Sequence, residues 1–414
     1  MFPIKTATLT NMPYDNFFEQ ELVTLKAEGR YRVFADLERH AHQAPIATWH
    51  SKNGPKPVVV WCSNDYLGMS HHPSVIEAAT KAAIAYGAGS GGTRNISGTG
   101  HLHIELEKTV AKLHEKEAGL IFTSGYVANE ATLCTLAKGL PNCVVFCDER
   151  IHASMIQGVS HSKAPKHIFS HNNLGQLRQQ LASYPLNQPK LITFVSVYSM
   201  EGDFAPIEAI CDLAKKYNAI TYLDEVHAVG IYGKGGAGLA NSLGQSHRID
   251  VIQANFAKAF GVIGGYITGS KSLVDYVRSF ALGFIFTTSL PPMVTSAAIS
   301  SINVLQQADD LRQKLWQNVN LLKNLLSKTN VNYHQTPSHI VPVVIGDAKI
   351  CKDFTDALLN DFGIYVQPIN YPTVPRGQER LRLTATPFHN EEMIKNMVYA
   401  LDLLWEKFFM RKAG

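Results

Sequence analysis

The sequence is poor in charged side chains, and what it lacks excludes several kinds of partner. Only 17% of its 414 residues are charged, whereas a typical globular domain has about 25%. The net charge is +4 and no run of lysine or arginine exceeds two residues, so neither nucleic acid nor a membrane surface is indicated as a partner. No stretch approaches the roughly 18 consecutive apolar residues of a membrane-spanning helix. The low charge therefore indicates a large core, or a surface that another subunit covers.

Cysteine is also scarce, and its spacing excludes a disulfide framework. The cysteines are Cys62, Cys134, Cys143, Cys147, Cys211 and Cys351. They form no CxxC pair and no dense cluster, so we expect free thiols in a reducing compartment. Residues 1–16 show neither the apolar segment and cleavage site of a signal peptide nor the arginines of a transit peptide. We therefore expect a cytoplasmic protein.

Short apolar runs alternate with helix-like patterns from about residue 60 to residue 290. The runs of strand length are 58–61, 144–146, 191–197, 220–224 and 266–268, and the helical patterns include 73–86, 101–117, 126–138 and 207–217. This alternation predicts an α/β domain with a mainly parallel central sheet that helices cover on both faces.

A different pattern follows Pro291 and Pro292. Helical periodicity continues to about residue 328, followed by a strand pattern at 339–345, a helix near 350–361, two short strand patterns and a closing helix at 390–407. This order predicts a smaller α+β domain. We accordingly divide the chain into an N-terminal helix and arm (1–57), a large α/β domain (58–292) and a small C-terminal α+β domain (293–414).

Two motifs that suggest cofactor or metal sites lack the required context. Residues 87–92 match the pattern GxGxxG, but a helical segment precedes the glycines where a dinucleotide-binding fingerprint needs a strand. A turn, or a loop whose backbone approaches a ligand closely, explains these glycines as well. The histidines at 71–72 and at 101 and 103 have no carboxylate or thiolate partners at ligand spacing, so no metal site is predicted.

The most informative pattern follows the strand at 220–224. This strand ends in Asp224, and His227 comes three residues later. Ligands of open α/β sheets bind beyond the carboxyl ends of the strands, so we expect both side chains to face a ligand. Lys258 lies in an apolar turn beside glycine, where desolvation lowers the pKa of an amine and makes it a better nucleophile toward a carbonyl. A surface lysine is the alternative for Lys258 alone, but an acid combined with a lysine suggests pyridoxal 5'-phosphate (PLP).

Several longer blocks occur together in one known family. They are 29–34 (GRYRVF), 61–69 (WCSNDYLGM), 91–99 (GGTRNISGT), 224–230 (DEVHAVG), 257–261 (AKAFG), 284–289 (FIFTTS) and 365–377 (YVQPINYPTVPRG). These blocks resemble the α-oxoamine synthases, which are fold-type I PLP-dependent enzymes. The resemblance covers roughly residues 15–408 and is closest to the branch that forms 5-aminolevulinate. It implies a fold-type I transferase that works as a homodimer with its active site at the subunit interface.

The resemblance implies roles for the residues around PLP. Lys258 would form the Schiff base and act as general base and acid, Asp224 would pair with the pyridine nitrogen, and His152 would stack on the ring. The phenolic oxygen would bind His227 and Ser199. The implied catalytic group is therefore Lys258, Asp224, His227 and His152.

The phosphate of PLP is expected at the start of a helix, where free N–H groups and the helix dipole favour an anion. The implied phosphate contacts are Ser124, Gly125, Tyr126, Asn255 and, from the partner subunit, Thr287 and Thr288. Asn255 stands where the family usually has a threonine, and its amide can also donate to a phosphate.

The resemblance also implies glycine and succinyl-CoA as substrates. Arg382 would bind the glycine carboxylate, because a guanidinium forms two parallel hydrogen bonds to a carboxylate, and Asn64 and Tyr66 would lie nearby. The residues implied for succinyl-CoA are Arg32, Thr93, Asn95, Ile96, Cys147, Lys166 and Thr373. Without the resemblance, a surface ion pair is the alternative for Arg32 and Arg382.

The implied reaction is a decarboxylating condensation that gives 5-aminolevulinate, CoA and carbon dioxide on the route to tetrapyrroles and haem. One alternative is a sibling enzyme that uses another acyl-CoA, such as glycine C-acetyltransferase with acetyl-CoA. Another is a PLP-binding protein without condensation activity. Departures from the usual family residues keep the acyl specificity open, and they are Cys147, Ile151, Val195, Ala254, Asn255 and Ala385.

Overall fold

The structure is a computed structural model that describes residues 14–410. The expected absence of a leader peptide concerns residues 1–16, most of which lie outside the described residues, as do the outer ends of the first and last predicted domains. Within residues 14–410, no helix has both the length and the apolarity needed to cross a membrane.

The described residues form the following helices and strands. The α-helices are α1 (Asp15–Ala27), α2 (Pro73–Tyr86), α3 (His101–Leu113), α4 (Gly125–Gly139), α5 (Ala153–Ser162), α6 (Leu174–Ala182), α7 (Ile207–Tyr217), α8 (Leu239–Ser242), α9 (Lys271–Phe280), α10 (Leu282–Ile285), α11 (Pro292–Leu305), α12 (Asp309–Leu326), α13 (Ala348–Phe362) and α14 (Glu391–Trp405). The strands are β1 (Leu37–Arg39), β2 (Ile46–Ser51), β3 (Gly54–Val60), β4 (Ala118–Phe122), β5 (Val144–Asp148), β6 (Lys166–Phe169), β7 (Lys190–Val195), β8 (Ala219–Asp224), β9 (Val251–Asn255), β10 (Gly265–Gly269), β11 (Ile340–Val344), β12 (Ile364–Tyr365), β13 (Pro368–Ile369) and β14 (Arg380–Thr384).

The central sheet confirms the predicted α/β class. Its seven strands lie in the order β4-β10-β9-β8-β7-β5-β6, and of these only β10 runs antiparallel to its neighbours. Every residue of β5, β7 and β9 is buried, as expected for strands that helices cover on both faces.

Two local predictions are wrong. The run 58–61 is expected to begin the central sheet, but residues 58–60 form the end of β3, which lies in a separate sheet of order β1-β2-β3-β12. An apolar run shows that a strand is buried, but it does not show which strand is its partner. The helix predicted over 101–117 ends at Leu113, since Glu115 adopts a left-handed φ of 54° that a helix cannot continue through.

The C-terminal part contains a three-stranded sheet of order β11-β14-β13. The long helical pattern to residue 328 is divided between α11 and α12, and Asp309 and Asp310 occupy the first turn of α12, where carboxylates favour the start of a new helix. Phe256 beside the central sheet belongs to the same buried cluster as Leu322 and Leu401. The two parts therefore share a core, and the boundary at residue 292 stays a prediction.

This arrangement opens a pocket at the carboxyl edge of the central sheet. The strands β5, β7, β8 and β9 are parallel, so the segments that follow them meet at one edge. The N-terminus of α4 lines the same pocket, and β14 brings Arg382 against the segment after β7.

Candidate active site

Asp224 ends β8, and two donors hold its carboxylate. The backbone N–H of Val226 donates to Oδ1 at 2.9 Å, and Nδ2 of Asn129 donates to Oδ2 at 3.0 Å. The side chain is 3% exposed. A buried acid that is anchored on both oxygens can face a cationic ring nitrogen in a defined orientation.

Lys258 lies in the connection between β9 and β10. The turn is closed by a hydrogen bond from the Gly261 N–H to the Lys258 carbonyl at 2.8 Å. Gly261 has a φ of 70°, and a Cβ there would lie 2.2 Å from the backbone nitrogen of Ser70, so only glycine fits. Burial lowers the pKa of Lys258 to about 8; Asp224 opposes this shift and Arg382 adds to it. About a tenth of the amine is therefore neutral at pH 7.

His152 precedes α5 at the mouth of the pocket. Its Nδ1 accepts from the Ser154 N–H at 3.2 Å and lies 2.7 Å from Ser154 Oγ. Burial lowers the pKa of His152, the charge of Asp224 opposes the shift, and Lys258 adds to it. The ring is consequently neutral at neutral pH.

His227 is buried beside Tyr66, whose Oη lies 2.7 Å from its Nδ1. Burial and then the charges of Lys258 and Arg382 hold the pKa of His227 well below its usual value. Burial raises the pKa of Tyr66 to about 12. Both groups are therefore neutral, and they can exchange a hydrogen bond without carrying charge into the pocket.

The start of α4 offers an anion site. The Ser124 hydroxyl accepts from the Val127 N–H at 3.1 Å, while the N–H groups of Gly125 and Tyr126 in the first turn have no acceptor within the helix. A Cβ on Gly125 would lie 2.9 Å from Cβ of Asn255, so these residues are in close contact. Asn255 Oδ1 accepts from the Ala257 N–H at 3.2 Å, which keeps its amide at this helix end.

These groups surround one pocket, whose empty space of about 420 Å³ includes its opening to solvent. Its lining includes most of the residues predicted for the cofactor, namely Gly125, Tyr126, His152, Ser199, Asp224, His227, Asn255 and Lys258. Ser124 caps the helix beside them. Thr287 and Thr288 lie elsewhere, and Thr288 forms a bridge with Thr93 in the glycine-rich loop.

Arg382 on β14 is 8% exposed and has no carboxylate partner in the part of the chain that the structure describes. Its guanidinium donates to Asn64 Oδ1 and, at 3.5 Å, to the Ser199 carbonyl. The nearby Arg380 differs, because it bonds to the Gln378 and Met200 carbonyls and lies 3.8 Å from Glu201. Arg382 is thus a buried cation with capacity for an anionic ligand.

Arg32 and Thr373 are 341 positions apart, yet the guanidinium of Arg32 donates to the Thr373 hydroxyl at 3.2 Å. Thr373 lines an open cavity of about 1670 Å³ that also includes His152 and Ser199. Arg32 lines a neighbouring cavity of about 1180 Å³ beside α13. The two residues expected to contact the acyl-CoA therefore meet near the mouth of the Lys258 pocket.

Other predicted substrate residues lie outside the lining of that pocket. Asn95 and Ile96 follow Thr93 in the loop between α2 and α3, and Ile96 is 84% exposed. Cys147 is 4% exposed within β5, and Lys166 on β6 donates to Ser160 Oγ at 3.0 Å. Their contacts with succinyl-CoA stay predictions.

The sequence analysis missed four polar residues that line the pocket: Asn129, Arg150, Ser154 and Tyr198. Asn129 is buried and donates to the Asp224 carboxylate. The signal available in the sequence is a polar residue among the small and apolar residues Ala128, Ala131 and Leu133 of the helical pattern over 126–138.

Comparison with known proteins shows similarity along nearly the whole chain. Residues 56–401 match the family of class I and II aminotransferases. The chain is 53% identical to the 5-aminolevulinate synthase of Rhizobium meliloti, over 97% of this chain and 100% of that protein. It is 49% identical to the 5-aminolevulinate synthase of Rhodobacter capsulatus, over 97% and 99% of the two chains.

Solved structures show the same fold. A serine palmitoyltransferase from S. paucimobilis with bound PLP and myriocin has a TM-score of 0.88 and 28% identity, covering 96% of this chain and 99% of that one. An 8-amino-7-oxononanoate synthase from Francisella tularensis has a TM-score of 0.72 and 25% identity, covering 84% and 98%.

Proposed function

The chain belongs to the class I and II aminotransferases and, within them, to the 5-aminolevulinate synthases, and we propose that the pocket around Lys258 is its active site. It is a PLP-dependent acyltransferase that condenses glycine with succinyl-CoA to give 5-aminolevulinate, CoA and carbon dioxide for haem biosynthesis. One observation carries the assignment of the site: Lys258, whose amine has a lowered pKa, and the anchored acid Asp224 line one pocket, and Arg382 donates to the carbonyl of Ser199 on its wall while having no carboxylate partner among residues 14–410.

The residues of the pocket fit PLP. Asp224 suits the pyridine nitrogen, the start of α4 with Asn255 suits the phosphate, and His227 with Ser199 suits the phenolic oxygen. His152 at the pocket mouth suits the face of the ring. When bound, PLP supplies an electron-withdrawing ring that stabilises negative charge at the glycine α-carbon.

Lys258 moves the proton at the glycine α-carbon. Its amine is partly neutral because its pKa is lowered to about 8, so it can accept that proton and later return one to the same carbon. Asp224 stays close enough to oppose the lowering of this pKa. The two groups therefore serve different tasks: Lys258 transfers the proton, and Asp224 holds the ring nitrogen.

Arg382 binds the glycine carboxylate. Within residues 14–410 the partners of the guanidinium are neutral, namely the Asn64 amide and the Ser199 carbonyl, so a carboxylate adds a charge-assisted interaction. Asn64 also accepts from Tyr66 Oη at 3.3 Å. This places the amino acid beside Tyr66 and His227.

Arg32 and Thr373 select the succinyl carboxylate, together with Thr93, Asn95 and Ile96, while Cys147 and Lys166 contact the CoA part. The support is the Arg32–Thr373 hydrogen bond at the pocket mouth. A cation at that position favours an acyl chain that ends in a carboxylate over acetyl.

A homodimer completes the site, with Thr287 and Thr288 reaching the PLP phosphate of the partner. The support is that these threonines lie away from their own pocket and that α1 has no buried residue. Several large apolar side chains are also exposed, and they include Phe17, Phe18, Phe34, Ile84, Ile96 and Phe286. Such exposure is typical of surfaces that another subunit covers. We also propose that the protein is cytoplasmic.

Parallel assays test the proposed reaction. The purified protein is given PLP and glycine with succinyl-CoA or with acetyl-CoA, and CoA release and aminoketone formation are measured. We expect turnover with succinyl-CoA, and we expect Arg32→Leu to raise the KM for succinyl-CoA by roughly tenfold or more. Arg39→Leu, at an exposed arginine of β1, is the matched control and should leave that KM unchanged. Preference of the unmodified protein for acetyl-CoA would overturn the proposal.

A further inference from the structure

Behind Asp224 and His152 lies a chain of hydrogen bonds centred on Asn129. This residue lies on α4 and is 2% exposed. Its Nδ2 donates to Asp224 Oδ2 at 3.0 Å and to Ser154 Oγ at 3.1 Å, and its Oδ1 accepts from Tyr222 Oη at 2.8 Å. The amide therefore uses both of its hydrogens and its oxygen within the interior.

The direction of each bond follows from the chemistry of Asp224. An ionised carboxylate only accepts, so the Asn129 atom that faces it is the NH₂ group, and the Tyr222 hydroxyl must donate to Oδ1. Ser154 Oγ accepts from Asn129, and His152 Nδ1 accepts from the Ser154 N–H. The Ser154 hydroxyl is then left to donate to His152 Nδ1, 2.7 Å away. Neutral His152 must consequently carry its hydrogen on Nε2.

We propose that Asn129 is a positioning residue for the PLP site, which orients the Asp224 carboxylate and, through Ser154, fixes the tautomer of His152. One amide thereby links the acid that faces the ring nitrogen to the imidazole that covers the ring. This inference rests on the proposed function of the pocket. The lowered pKa of His152 supports it, because a neutral ring is the one whose tautomer needs to be fixed.

Asn129→Asp tests this role because it preserves the size of the side chain and replaces the amide donor with a titratable carboxyl group. While the introduced carboxyl group is protonated it can donate to Asp224 as the amide does, but once ionised it repels Asp224. We expect the Kd for PLP, divided by that of the unmodified protein at the same pH, to rise by at least about tenfold between about pH 6 and pH 9. A merely structural role would give a ratio that does not depend on pH.

Both proteins share the other groups that titrate around this position, so the ratio removes their effect. The charged or titratable side chains that line the pocket or bond to Asn129 are Tyr126, Arg150, His152, Tyr198, Tyr222, Asp224, His227 and Lys258. They come from the first turn of α4, from the segment before α5, from β8 and from the segments after β7, β8 and β9.

Tyr222→Phe is a milder test, which removes only the hydroxyl that orients the amide. Tyr266→Phe is its matched control, since Tyr266 is equally buried in the same sheet and its Oη lies 2.9 Å from His114 Nε2, away from the pocket. We expect a Kd for PLP that is several-fold higher in Tyr222→Phe and within about twofold of normal in Tyr266→Phe.

Absorbance titration of the apoproteins with PLP gives each Kd, and succinyl-CoA turnover of the unmodified protein is measured in parallel. Absent turnover would overturn the proposed function. With turnover present, a ratio for Asn129→Asp that does not change with pH would overturn the role of Asn129. If Asn129→Asp does not fold, equal Kd values for Tyr222→Phe and Tyr266→Phe would overturn it instead.

Discussion

Lys258 is the residue whose titration reports most directly on the pocket. Burial lowers its pKa to about 8, and only the neutral amine attacks the carbonyl carbon of PLP. We therefore expect the rate of PLP association with the apoprotein to rise with pH up to about 8 and to level off above it. Rapid-mixing absorbance measurements from about pH 6 to pH 10 test this profile. A rate that keeps rising toward the ordinary lysine value of 10.5 would contradict the assignment.

The two arginines of β14 allow a matched comparison at the same scale. Arg382→Lys removes the paired donors, so we expect the KM for glycine to rise about tenfold or more. Arg380→Lys instead removes hydrogen bonds to the Gln378 and Met200 carbonyls, which hold the protein together and are not expected to contact glycine. We therefore expect a lower Tm with the KM for glycine within about twofold of normal. Steady-state kinetics and thermal melts separate the effects. Equal rises in KM would show that Arg382 has no special relation to glycine.

At the scale of single elements, the start of α4 depends on the close contact between Gly125 and Asn255. A Cβ in Gly125→Ala would lie 2.9 Å from Cβ and 3.1 Å from Nδ2 of Asn255. These two parts of the phosphate site would have to separate, so we expect the Kd for PLP to rise about tenfold. Absorbance titration measures it. Gly175→Ala in the exposed first turn of α6, where only Asn173 Oδ1 is near at 3.4 Å, should leave it unchanged.

Another element-level feature is the histidine that joins the segments after β5, β6 and β7. His171 Nδ1 lies 3.1 Å from Asp148, which ends β5, and its Nε2 lies 2.7 Å from Asp203. Burial disfavours the charged ring, but the hydrogen bonds and charges of the two aspartates outweigh burial and raise the pKa of His171 to about 9. The segments that carry His152 and Ser199 are thus tied by a cation at neutral pH.

This tie predicts a pH-dependent stability. A raised pKa stabilises the folded state fully below the unfolded value of about 6.5, and the stabilisation is lost as pH rises through about 9. Near pH 6 we expect the free energy of unfolding of the unmodified protein to exceed that of His171→Gln by on the order of 2 kcal/mol, a figure that allows for the partly exposed Asp203. This difference should shrink as the pH rises toward 9 and above. Urea unfolding across that range measures it. A control with His161→Gln, at an exposed histidine paired with Glu130, should show a much smaller change, and a difference that grows with pH would refute the argument.

For the whole molecule, the shared active site can be tested with mixed dimers. Lys258→Ala chains are combined with chains that carry both Thr287→Ala and Thr288→Ala. If the threonines serve the partner's pocket, each mixed dimer has one intact site, and random pairing restores roughly a quarter of normal activity. If they serve their own pocket, no mixed dimer has an intact site and activity stays absent. Refolding or coexpression followed by the succinyl-CoA assay distinguishes the outcomes.

Functional residues at or after the ends of strands could be predicted from the sequence. The buried polar residues that hydrogen-bond to them could not. Asp224, His227 and Lys258 were predictable because the carboxyl ends of parallel strands converge on one edge. Asn129 was not, since its partner Asp224 is 95 positions away and no periodicity marks a polar contact inside a helix. The prediction of the sheet that contains β3 was wrong for a related reason, because strand partners depend on the packing of the whole chain rather than on a local apolar run.

The antiparallel direction of β10 has a practical consequence. Because β10 returns beside β9, the connection over residues 256–264 begins and finishes at one edge, with Gly265 opposite both Asn255 and Phe122. Residues inserted in this connection would displace Lys258, because the paired strands fix both of its ends. A reporter graft or a split into complementing fragments is better made in the exposed turn around Leu186, between α6 and β7, where the chain faces solvent and no catalytic side chain depends on its length.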